Sequence, residues 1–389
     1  MRRRSVFISG GGIAGLSLAW WLAKDEHRIT VADRVARFEA RGHFISLKGS
    51  GAQLMQRMGL YDELAQHAIP ATGSAYLDQA GHLLREHQFV DSAAALGGYL
   101  MLRRADLHQV LFNQTAPNVE LRYGETARAI EQTGDGVIVR FQSGEEAHFD
   151  LAVLAEGVHS ELRSALFPES RETSLSGRYT VVIVAQPSPR IERVEAYFGQ
   201  GLNINLLPAA NDRLGLVVYQ DDRFAPAPNK ADAIAWRSYL LDLFHTFAPT
   251  VRGAISGIEA EDEVFSDVIS MVPVEQLARG RIALLGDAGY CPTFFSGMGA
   301  AAAMQGAFCL SQQLRKTADD QAALATYADL MRPLALIYQA SARRMRKAWL
   351  SRGARALMRN AFLKHASAQH MAKSARRFYH ADITLDSLA

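Results

Sequence analysis

Residues 6–34 constrain the fold of this chain more than any other segment. An apolar run at 6–9 enters a turn in which Gly10, Gly12 and Gly15 stand in G-x-G-x-x-G register, and a helix-period segment and a second apolar run ending in Asp33 follow. In a βαβ unit the first glycine permits a tight turn, the second lets the backbone approach a pyrophosphate, and the third lets the helix pack on the strand. The helix N-terminus offers unpaired N–H groups to the anion, and Asp33 can accept hydrogen bonds from a ribose. The segment therefore predicts a dinucleotide-binding unit.

The basic residues at the start of the chain allow a second interpretation. Arg2, Arg3 and Arg4 precede the apolar stretch, as in a twin-arginine export signal. Three successive glycines interrupt that stretch, however, no small-residue cleavage site follows Ala23, and the next residues form another strand pattern. We therefore prefer the dinucleotide-binding unit.

The composition is that of a globular cytoplasmic protein. With 389 residues, 49% of them hydrophobic, the chain can bury a large core in two units. Cys291 and Cys309 cannot build a disulfide framework, and the sequence has no apolar run of membrane-spanning length. Because the net charge is only +2, we expect no nucleic-acid partner. The lack of a long apolar run predicts no membrane span, and we expect a monomer or weak dimer.

Two sets of strands alternate along the chain. Residues 75–90 hold two alternating runs around 78–81, which predicts a hairpin, and strand patterns dominate again at 177–220. Between these segments, further strands are expected near 119–123, 137–141 and 150–155, with a helix capped by Asp106 before them. One sheet should thus be assembled from discontinuous pieces beside a second, mostly antiparallel sheet.

A second glycine loop follows a buried strand late in the chain. Residues 282–288 end in Gly286-Asp287-Ala288, and a loop through Gly297 and Gly299 leads into an alanine-rich helix. A carboxylate at the C-terminal end of a strand can hold a sugar or ribityl hydroxyl, and a glycine loop at a helix start can receive polar or anionic cofactor atoms. The alternative for Asp287 is a structural role as a loop cap.

Together these motifs resemble the group A FAD-dependent aromatic monooxygenases, the para-hydroxybenzoate hydroxylase-like family. Within it, the tetracycline-inactivating monooxygenases and related actinobacterial hydroxylases are the most similar. Besides the two glycine loops, residues 104–107 match the family's Arg-x-Asp-Leu helix start, and Glu156-Gly157 stands where the family has Asp-Gly. Arg41 is similar to an arginine that the family places near the nicotinamide cofactor or the flavin. A surface arginine is the alternative there.

The resemblance implies both the fold and the division of the chain. The fold class is α/β, with a Rossmann-like FAD-binding domain of the GR2 type interleaved with a mostly antiparallel β-sheet substrate domain, plus C-terminal helices. The FAD-binding domain would comprise residues 1–71, 100–176 and 271–332. The substrate domain would comprise 72–99 and 177–270, and 333–389 would form the C-terminal helical segment.

The resemblance also implies the activity. NADPH or NADH would reduce a non-covalent FAD, O2 would form a flavin C4a-hydroperoxide, and one oxygen atom would pass to an aromatic or polyketide-like small molecule of secondary metabolism. The chemistry would be centred on the flavin, so no catalytic side chain is assigned. No Cys/His spacing suggests a metal site. Cys291, in the second glycine loop, is expected to pack rather than react, because no second cysteine is near it in the sequence.

The predicted site has a cofactor part and a substrate part. The cofactor-binding candidates are Gly10, Gly12, Ile13, Ala14, Gly15, Asp33, Arg34, Arg41, Arg104, Glu156, Gly157, Gly286, Asp287, Gly297, Met298 and Gly299. The substrate candidates are Tyr197, Asn203, Asn205, Tyr219, Phe294 and Phe295. Because alternate strand residues point to opposite faces, about half of the strand candidates should face away.

Four positions depart from the family's pattern. Glu156 replaces the usual aspartate, Tyr290 replaces the usual histidine after the Gly-Asp motif, and Thr293 and Phe294 replace the paired prolines beside the flavin ring. The first substitution keeps a carboxylate. The packing beside the flavin is the part of the site that these departures change.

The C-terminal segment predicts long helices. Pro333 marks a helix start, Gly353 a break, and apolar residues such as Leu357, Met358 and Phe362 recur near helical spacing and should pack across the two units. From Pro333 onward, eleven Lys or Arg stand against two aspartates. A solvated helical face explains this charge, and contact with an acidic surface is the alternative.

Other functions remain possible on the same scaffold. A flavin-dependent halogenase would carry a Trp-x-Trp-x-Ile-Pro signature, which the sequence lacks. An FAD-linked reductase would keep both glycine loops, and so would a non-enzymatic flavin-binding protein. Oxygen-dependent NAD(P)H consumption would separate these functions.

Overall fold

The structure is a computed structural model and describes residues 2–39, 44–69, 71, 73–96, 98–187, 190–209, 211–224, 227–228, 232–379 and 385–388. Arg41, one of the predicted cofactor residues, lies outside the described residues.

Strands and helices alternate along most of the chain. The strands are β1 (Ser5–Ser9), β2 (Arg28–Asp33), β3 (Phe44–Lys48), β4 (Gly73–Asp78), β5 (Leu83–Gln88), β6 (Tyr99–Arg103), β7 (Glu120–Tyr123), β8 (Ala127–Gln132), β9 (Val137–Phe141), β10 (Glu146–Phe149), β11 (Leu151–Leu154), β12 (Thr173–Ala185), β13 (Val194–Phe198), β14 (Leu202–Ala209), β15 (Arg213–Asp221), β16 (Val264–Met271), β17 (Ala278–Arg279) and β18 (Ile282–Leu284). The helices are α1 (Ile13–Lys24), α2 (Ser50–Met58), α3 (Tyr61–Ala65), α4 (Phe89–Leu96), α5 (Arg104–Thr115), α6 (Glu161–Leu166), α7 (Ala233–Leu243), α8 (Pro249–Ser256), α9 (Asp287–Tyr290), α10 (Gly299–Lys316), α11 (Asp320–Trp349), α12 (Ala354–His365) and α13 (Ala368–Tyr379).

A parallel sheet forms the centre of the first layer. Its strand order is β17-β18-β11-β1-β2-β7, and every pair is parallel except β17 with β18. Strands β1 and β11 are apolar and almost wholly buried, as expected where helices cover both faces of a parallel sheet. Helix α1 packs against α5 and α10, and the three helices share one apolar core with the sheet.

A larger sheet forms the second layer. Its order is β16-β12-β15-β14-β13-β4-β5, and only β13 with β4 is a parallel pair. One face packs on α7 and α8. The other face packs against the loop before α10 and the end of α11. The predicted fold class is confirmed, including the hairpin of β4 and β5 and the mostly antiparallel second sheet.

Three local predictions were wrong. Pro333 lies inside α11, whose start is fixed by Asp319, a side chain that accepts hydrogen bonds from Gln321 N and Ala322 N at 2.9 and 3.1 Å. Asp106 lies inside α5 and forms a bidentate ion pair with Arg103 at 2.6 and 3.0 Å, so it does not cap the helix. On α12, Leu357, Met358 and Phe362 are exposed and do not pack between the layers.

A buried ion cluster ties the start of α11 to the parallel sheet. Asp320 accepts hydrogen bonds from Arg4 Nε at 2.6 Å and from Arg281 Nη1 at 2.5 Å, and Arg4 and Asp320 are both buried. Arg2 Nη1 reaches the same carboxylate at 3.2 Å. Arg2 and Arg4, two of the three arginines before β1, thus have structural partners. No helix in the described part of the chain is both long enough and apolar enough to cross a membrane.

Candidate functional site

The predicted cofactor residues meet at one edge of the parallel sheet. Gly10, Glu156 and Gly286 each follow the carboxyl end of a strand, namely β1, β11 and β18, and these strands are neighbours in the order β18-β11-β1. In open α/β sheets the carboxyl ends of the strands form the ligand crevice. We call this crevice the trough.

The first glycine loop is packed so tightly that side chains are excluded. Gly10 has φ +108°, and a Cβ there would lie 2.5 Å from Ala155 O. A Cβ on Gly15 would lie only 2.0 Å from Gly10 O. Gly12, by contrast, faces open space in which the nearest neighbour of a Cβ would be Arg104 Nη2 at 3.9 Å. Two of the glycines are thus needed for packing, and the third opens toward Arg104.

Two carboxylates fix the strand ends beside this loop. Asp33 accepts hydrogen bonds from Gly11 N at 2.8 Å and Val35 N at 3.1 Å. Glu156 accepts from Ser9 Oγ and Ser160 Oγ, both at 2.5 Å. The longer side chain of Glu156 therefore bridges the end of β1 to the N-cap of α6, which accounts for a glutamate at this position.

Gly286 joins the two glycine loops. A Cβ on it would lie 2.8 Å from the Cβ of Ala14 in α1 and 3.4 Å from the Cβ of Ala303 in α10. The first turns of these two helices therefore meet at the end of β18. Neither α1 nor α10 has a side chain capping its N-terminus or an acidic residue in its first turn. Their N-terminal N–H groups are available to an anion or a carbonyl oxygen in the trough.

Asp287 lies in the wall of the trough. Its side chain is exposed although residues 282–286 and 288–293 are all buried. The surrounding protein raises the pKa of Asp287, and the charge of Arg104 opposes this effect. A Cβ on Gly299 would lie 3.8 Å from Asp287 Oδ1. The carboxylate and the start of α10 are thus neighbours, as the sequence predicts for the second loop.

The loop between α9 and α10 has a strained backbone. Thr293 has φ +69°, which is rare for a β-branched residue, and its hydroxyl accepts a hydrogen bond from Phe295 N at 3.2 Å. Backbone strain of this kind persists where the surroundings hold it, and it is frequent at ligand sites. The loop places Phe294 against Tyr179, with ring centroids 4.7 Å apart, and Phe295 against Tyr219 at 5.2 Å.

The large sheet presents one polar and aromatic face to this loop. Asn203 pairs with Tyr219 across β14 and β15, and Asn205 lies on the same face of β14. The Oδ1 atoms of both asparagines are buried and have no hydrogen-bond partner among the described residues. Trp349, at the end of α11, packs edge-on against Tyr219 at 5.3 Å. We call this surface the substrate face.

Tyr197 does not belong to the substrate face. It lies in the core that the large sheet shares with α7 and α8, and its hydroxyl donates to Glu195 Oε2 at 2.6 Å. Strand alternation places it on the opposite face from its neighbour Phe198. The structure therefore places Tyr197, a predicted substrate residue, on the opposite face of the large sheet from Asn203 and Asn205.

Two residues of the site were missed by the sequence analysis. His108 Nε2 donates to Gly11 O at 2.7 Å, and burial lowers the pKa of His108, so a neutral ring supports the first loop. Lys48 is buried, and a Cβ on Gly297 would lie 3.4 Å from its Nζ. The signal for Lys48 was a lysine that ends an apolar strand before Gly49-Ser50-Gly51.

Lys48 predicts a pH dependence of stability. Burial lowers the pKa of Lys48 from 10.5 to about 7. Between these values the unfolded chain binds more protons than the folded chain, so the free energy of unfolding should rise with pH, by at most about 1.4 kcal/mol per unit. Urea unfolding of FAD-depleted protein from pH 7 to 10 measures this, and Lys48→Met should show a flatter rise. Equal slopes in the two proteins would contradict it.

Comparison with known proteins identifies the family. A family model described as FAD binding domain matches residues 3–337. The FAD-dependent urate hydroxylase of Klebsiella pneumoniae is 28% identical over 325 residues, covering 82% of this chain and 84% of that protein. The crystal structure of K. pneumoniae HpxO complexed with FAD and uric acid matches with a TM-score of 0.85 at 24% identity, covering 97% of each chain. That of the tetracycline destructase Tet(51) matches with a TM-score of 0.75 at 21% identity, covering 98% of this chain and 100% of the other.

These matches confirm the resemblance inferred from the motifs and the prediction of FAD as the cofactor. The family model spans well over half of the chain and includes both glycine loops, residues 104–107 and Glu156-Gly157. The chain belongs to the FAD binding domain family.

Proposed function

We propose that this protein is an FAD-dependent monooxygenase that takes electrons from NADPH or NADH and transfers one oxygen atom from O2 to an aromatic or polyketide-like small molecule. The observation that carries the proposal is the convergence of three strand ends and two uncapped helix N-termini on one trough, with the substrate face beside it. The name of the K. pneumoniae relative, a urate hydroxylase, supports the same class of reaction.

The residues of the trough fit FAD. The N-terminus of α1 would hold the pyrophosphate, Asp33 the adenosine ribose and Asp287 the ribityl chain, while the N-terminus of α10 would face a carbonyl oxygen of the flavin ring. A bound FAD requires a free carboxylate and room beside the backbone. Asp287 is exposed among buried neighbours, and Gly12 faces open space. When bound, FAD supplies the electron transfer and the activation of oxygen.

The chain's own residues have three tasks in this reaction. Arg104 balances the charge of Asp287 at the wall of the trough. The rings of Phe294, Phe295 and Tyr219 exclude water from the space between the loop and the large sheet. The amide oxygens of the substrate face can accept hydrogen bonds from a substrate and so orient it.

This assignment divides the chain as the sequence analysis proposed. Residues 1–71, 100–176 and 271–332 would bind FAD, and 72–99 and 177–270 would bind the substrate. Residues 333–389 contribute Trp349 to the edge of the substrate face, since this side chain packs on Tyr219 and Phe198.

The experiment that tests the function is NADPH or NADH oxidation by the FAD-loaded protein with and without O2, over a panel of phenols, polycyclic phenols and purines. We expect one compound class to accelerate oxidation and to gain one oxygen atom in the mass of the product. A protein that reduces its flavin but never oxygenates any compound would instead be a reductase. A protein that does not oxidise NAD(P)H at all would be a flavin-binding protein without this activity.

Asn205 provides a specific prediction for the substrate face. Its buried Oδ1 has no hydrogen-bond partner in the part of the chain that the structure describes, so Asn205→Leu removes an acceptor that a substrate can use. We expect substrate KM to rise by about tenfold, with more hydrogen peroxide per NAD(P)H, because a lost hydrogen bond in a buried site costs about 1 to 3 kcal/mol.

The matched control is Tyr197→Phe, on the opposite face of the same sheet. It removes the hydrogen bond to Glu195 but nothing that faces the trough. Its KM and peroxide yield should equal those of the unmodified protein. If both variants change KM alike, the asparagine acts through the stability of the sheet and not through the substrate.

A further inference from the structure

A hollow of about 350 Å³ opens where helix α11 ends and helix α12 begins, apart from the trough. We call it the basic hollow. Its charged lining residues are the cations Arg223, Arg346, Lys347, Arg352 and Arg355 and the carboxylate of Asp221. Five cations face one carboxylate here, although the whole chain carries a net charge of only +2. Such a concentration of like charge favours an anion.

Arg352 is built into the wall of this hollow. Its guanidinium lies 4.8 Å from the ring centroid of Phe224. On the other side it touches Gly201, where a Cβ would come within 2.4 Å of Arg352 Nε. The side chain therefore fits only because residue 201 has none, and the guanidinium is held between a ring and a backbone.

The buried N–H groups of this wall lack acceptors. Arg352 Nε, Arg352 Nη2 and Arg346 Nε are buried and have no hydrogen-bond partner among the residues that the structure describes. An arginine presents its donors in a planar fork that matches an oxyanion. A buried donor without an acceptor is costly, so these three N–H groups call for a ligand with several acceptor oxygens.

The frame around these donors is fixed. Gly201 N donates to Ser351 O at 3.1 Å, and Gly353 N donates to Gln200 Oε1 at 2.7 Å. These bonds tie the connection between α11 and α12 to the turn that precedes β14. The backbone that carries Arg352 is therefore held in place before any ligand arrives, which reduces the ordering cost of binding.

Asp221 does not oppose an anion here, because its charge is already engaged. Arg223 donates to it from Nε at 3.1 Å and from Nη2 at 3.3 Å. Arg346 Nη2 is 3.8 Å from the same carboxylate. Asp221 is thus paired mainly with Arg223. In the described part of the chain, Lys347, Arg352 and Arg355 have no carboxylate within salt-bridge distance.

The basic hollow lies beside the substrate face. Leu350 lines the hollow and also packs in the same core cluster as Tyr219 and Phe295. Asp221 follows Tyr219 by two residues on β15, so both point to the same side of the sheet. An occupant of the hollow would thus sit next to the space assigned to the substrate.

We propose that the basic hollow is a binding site for a small multivalent oxyanion of the phosphate or pyrophosphate class. Arg352 and Arg346 supply the buried donors, and Lys347 and Arg355 supply charge at the rim. The volume is that of a small-molecule site, so the occupant is a phosphate group of a small molecule. The site does not depend on which reaction the flavin performs.

Calorimetric titration of the FAD-loaded protein with inorganic pyrophosphate tests the proposal. We expect saturable binding of one pyrophosphate per chain that weakens as salt is added. Arg352→Gln should raise the dissociation constant by about tenfold or more, as expected for loss of a charged donor pair. The double variant Lys347→Gln/Arg355→Gln, whose side chains are exposed, should weaken binding without risk to the fold.

Arg343→Gln is the matched control, since it removes an exposed arginine of α11 outside the hollow. Its pyrophosphate affinity should stay within about twofold of the unmodified protein. Absence of saturable binding, or equal weakening by Arg343→Gln and Arg352→Gln, would overturn the proposal and leave water as the partner of the buried donors.

The source of the phosphate is distinguished by a competition arm. NADP⁺ that displaces pyrophosphate from the holoprotein would identify the phosphates of the nicotinamide nucleotide as the occupant. Pyrophosphate and NADP⁺ that bind independently would identify a separate phosphorylated ligand. Because pyrophosphate binding is measured without turnover, its failure is distinct from any failure of the proposed monooxygenase activity.

Discussion

Replacing Gly15 by alanine is expected to abolish tight FAD binding. The new Cβ would lie 2.0 Å from Gly10 O, so the helix and the turn would have to separate. Gly10 cannot retreat, because its own Cα packs against the backbone at Ala155 and its φ of +108° suits glycine alone. We expect FAD affinity to fall by about a hundredfold or more and the free energy of unfolding to fall by about 1 to 3 kcal/mol.

Fluorescence titration of the FAD-depleted protein with FAD measures the affinity, and urea unfolding measures the stability. Gly253→Ala is the control, because a Cβ at Gly253 in helix α8 meets nothing within 4 Å. It should bind FAD normally and gain up to about 1 kcal/mol of stability, since alanine restricts the unfolded chain. A Gly15→Ala protein that binds FAD as tightly as the control would show that the loop does not hold the cofactor.

Asp287→Ala is expected to weaken FAD binding by about 10-fold to 100-fold, and by more than Asp33→Ala does. Asp287 is exposed to the trough between buried neighbours and beside the start of α10, so a bound FAD would cover it, and a hydrogen bond lost there would cost about 1 to 3 kcal/mol. Asp33 is half-buried, and its carboxylate already accepts hydrogen bonds from Gly11 N and Val35 N within the protein. Water can therefore replace part of what Asp33 offers a ribose.

The comparison needs both variants to be folded, which circular dichroism and urea unfolding can show. Asp287→Asn is a useful third protein, because it keeps the shape and removes the charge that Arg104 balances. We expect its FAD affinity to lie between those of the unmodified protein and Asp287→Ala. Equal losses for Asp33→Ala and Asp287→Ala, or a larger loss for Asp33→Ala, would contradict the assignment of Asp287 to the buried part of FAD.

The two glycine loops could be predicted from sequence because their requirements are local. Gly15 is needed for its contact with Gly10 O within the turn, Gly10 has a φ of +108° that suits glycine, and the strand, turn and helix periods around them are contiguous. The packing of Gly286 against both Ala14 and Ala303 is different, because it depends on how distant parts of the chain come together in the fold. It follows only from the rule that the carboxyl ends of neighbouring parallel strands share one edge.

The sequence did not show which face of the large sheet each strand residue lies on. Tyr197 and Asn203 lie on adjacent strands, and composition gives no reason to choose which of them faces the flavin. The structure separates them by strand alternation, because Tyr197 packs with α7 and α8 while Asn203 pairs with Tyr219. Which face of the sheet a residue occupies depends on the register between distant strands, and a single sequence does not show that register.

Helix ends at the C-terminus were misplaced for a related reason. Pro333 is an acceptable helix start on local grounds, but the capping carboxylate of Asp319 and the buried cluster at Asp320 set the start of α11 earlier. The burial of Lys48 and the support of the first loop by His108 were invisible for the same reason, since both depend on elements far away in the chain.

The central claim is that both glycine loops and the strand ends between them form one trough for a single FAD. The measurement that tests it most directly is the FAD content of the purified protein, from its absorbance and from the flavin released on denaturation. We expect a yellow protein with one FAD per chain, all of it released because no covalent bond is formed. A colourless protein that cannot be reconstituted with FAD would contradict it.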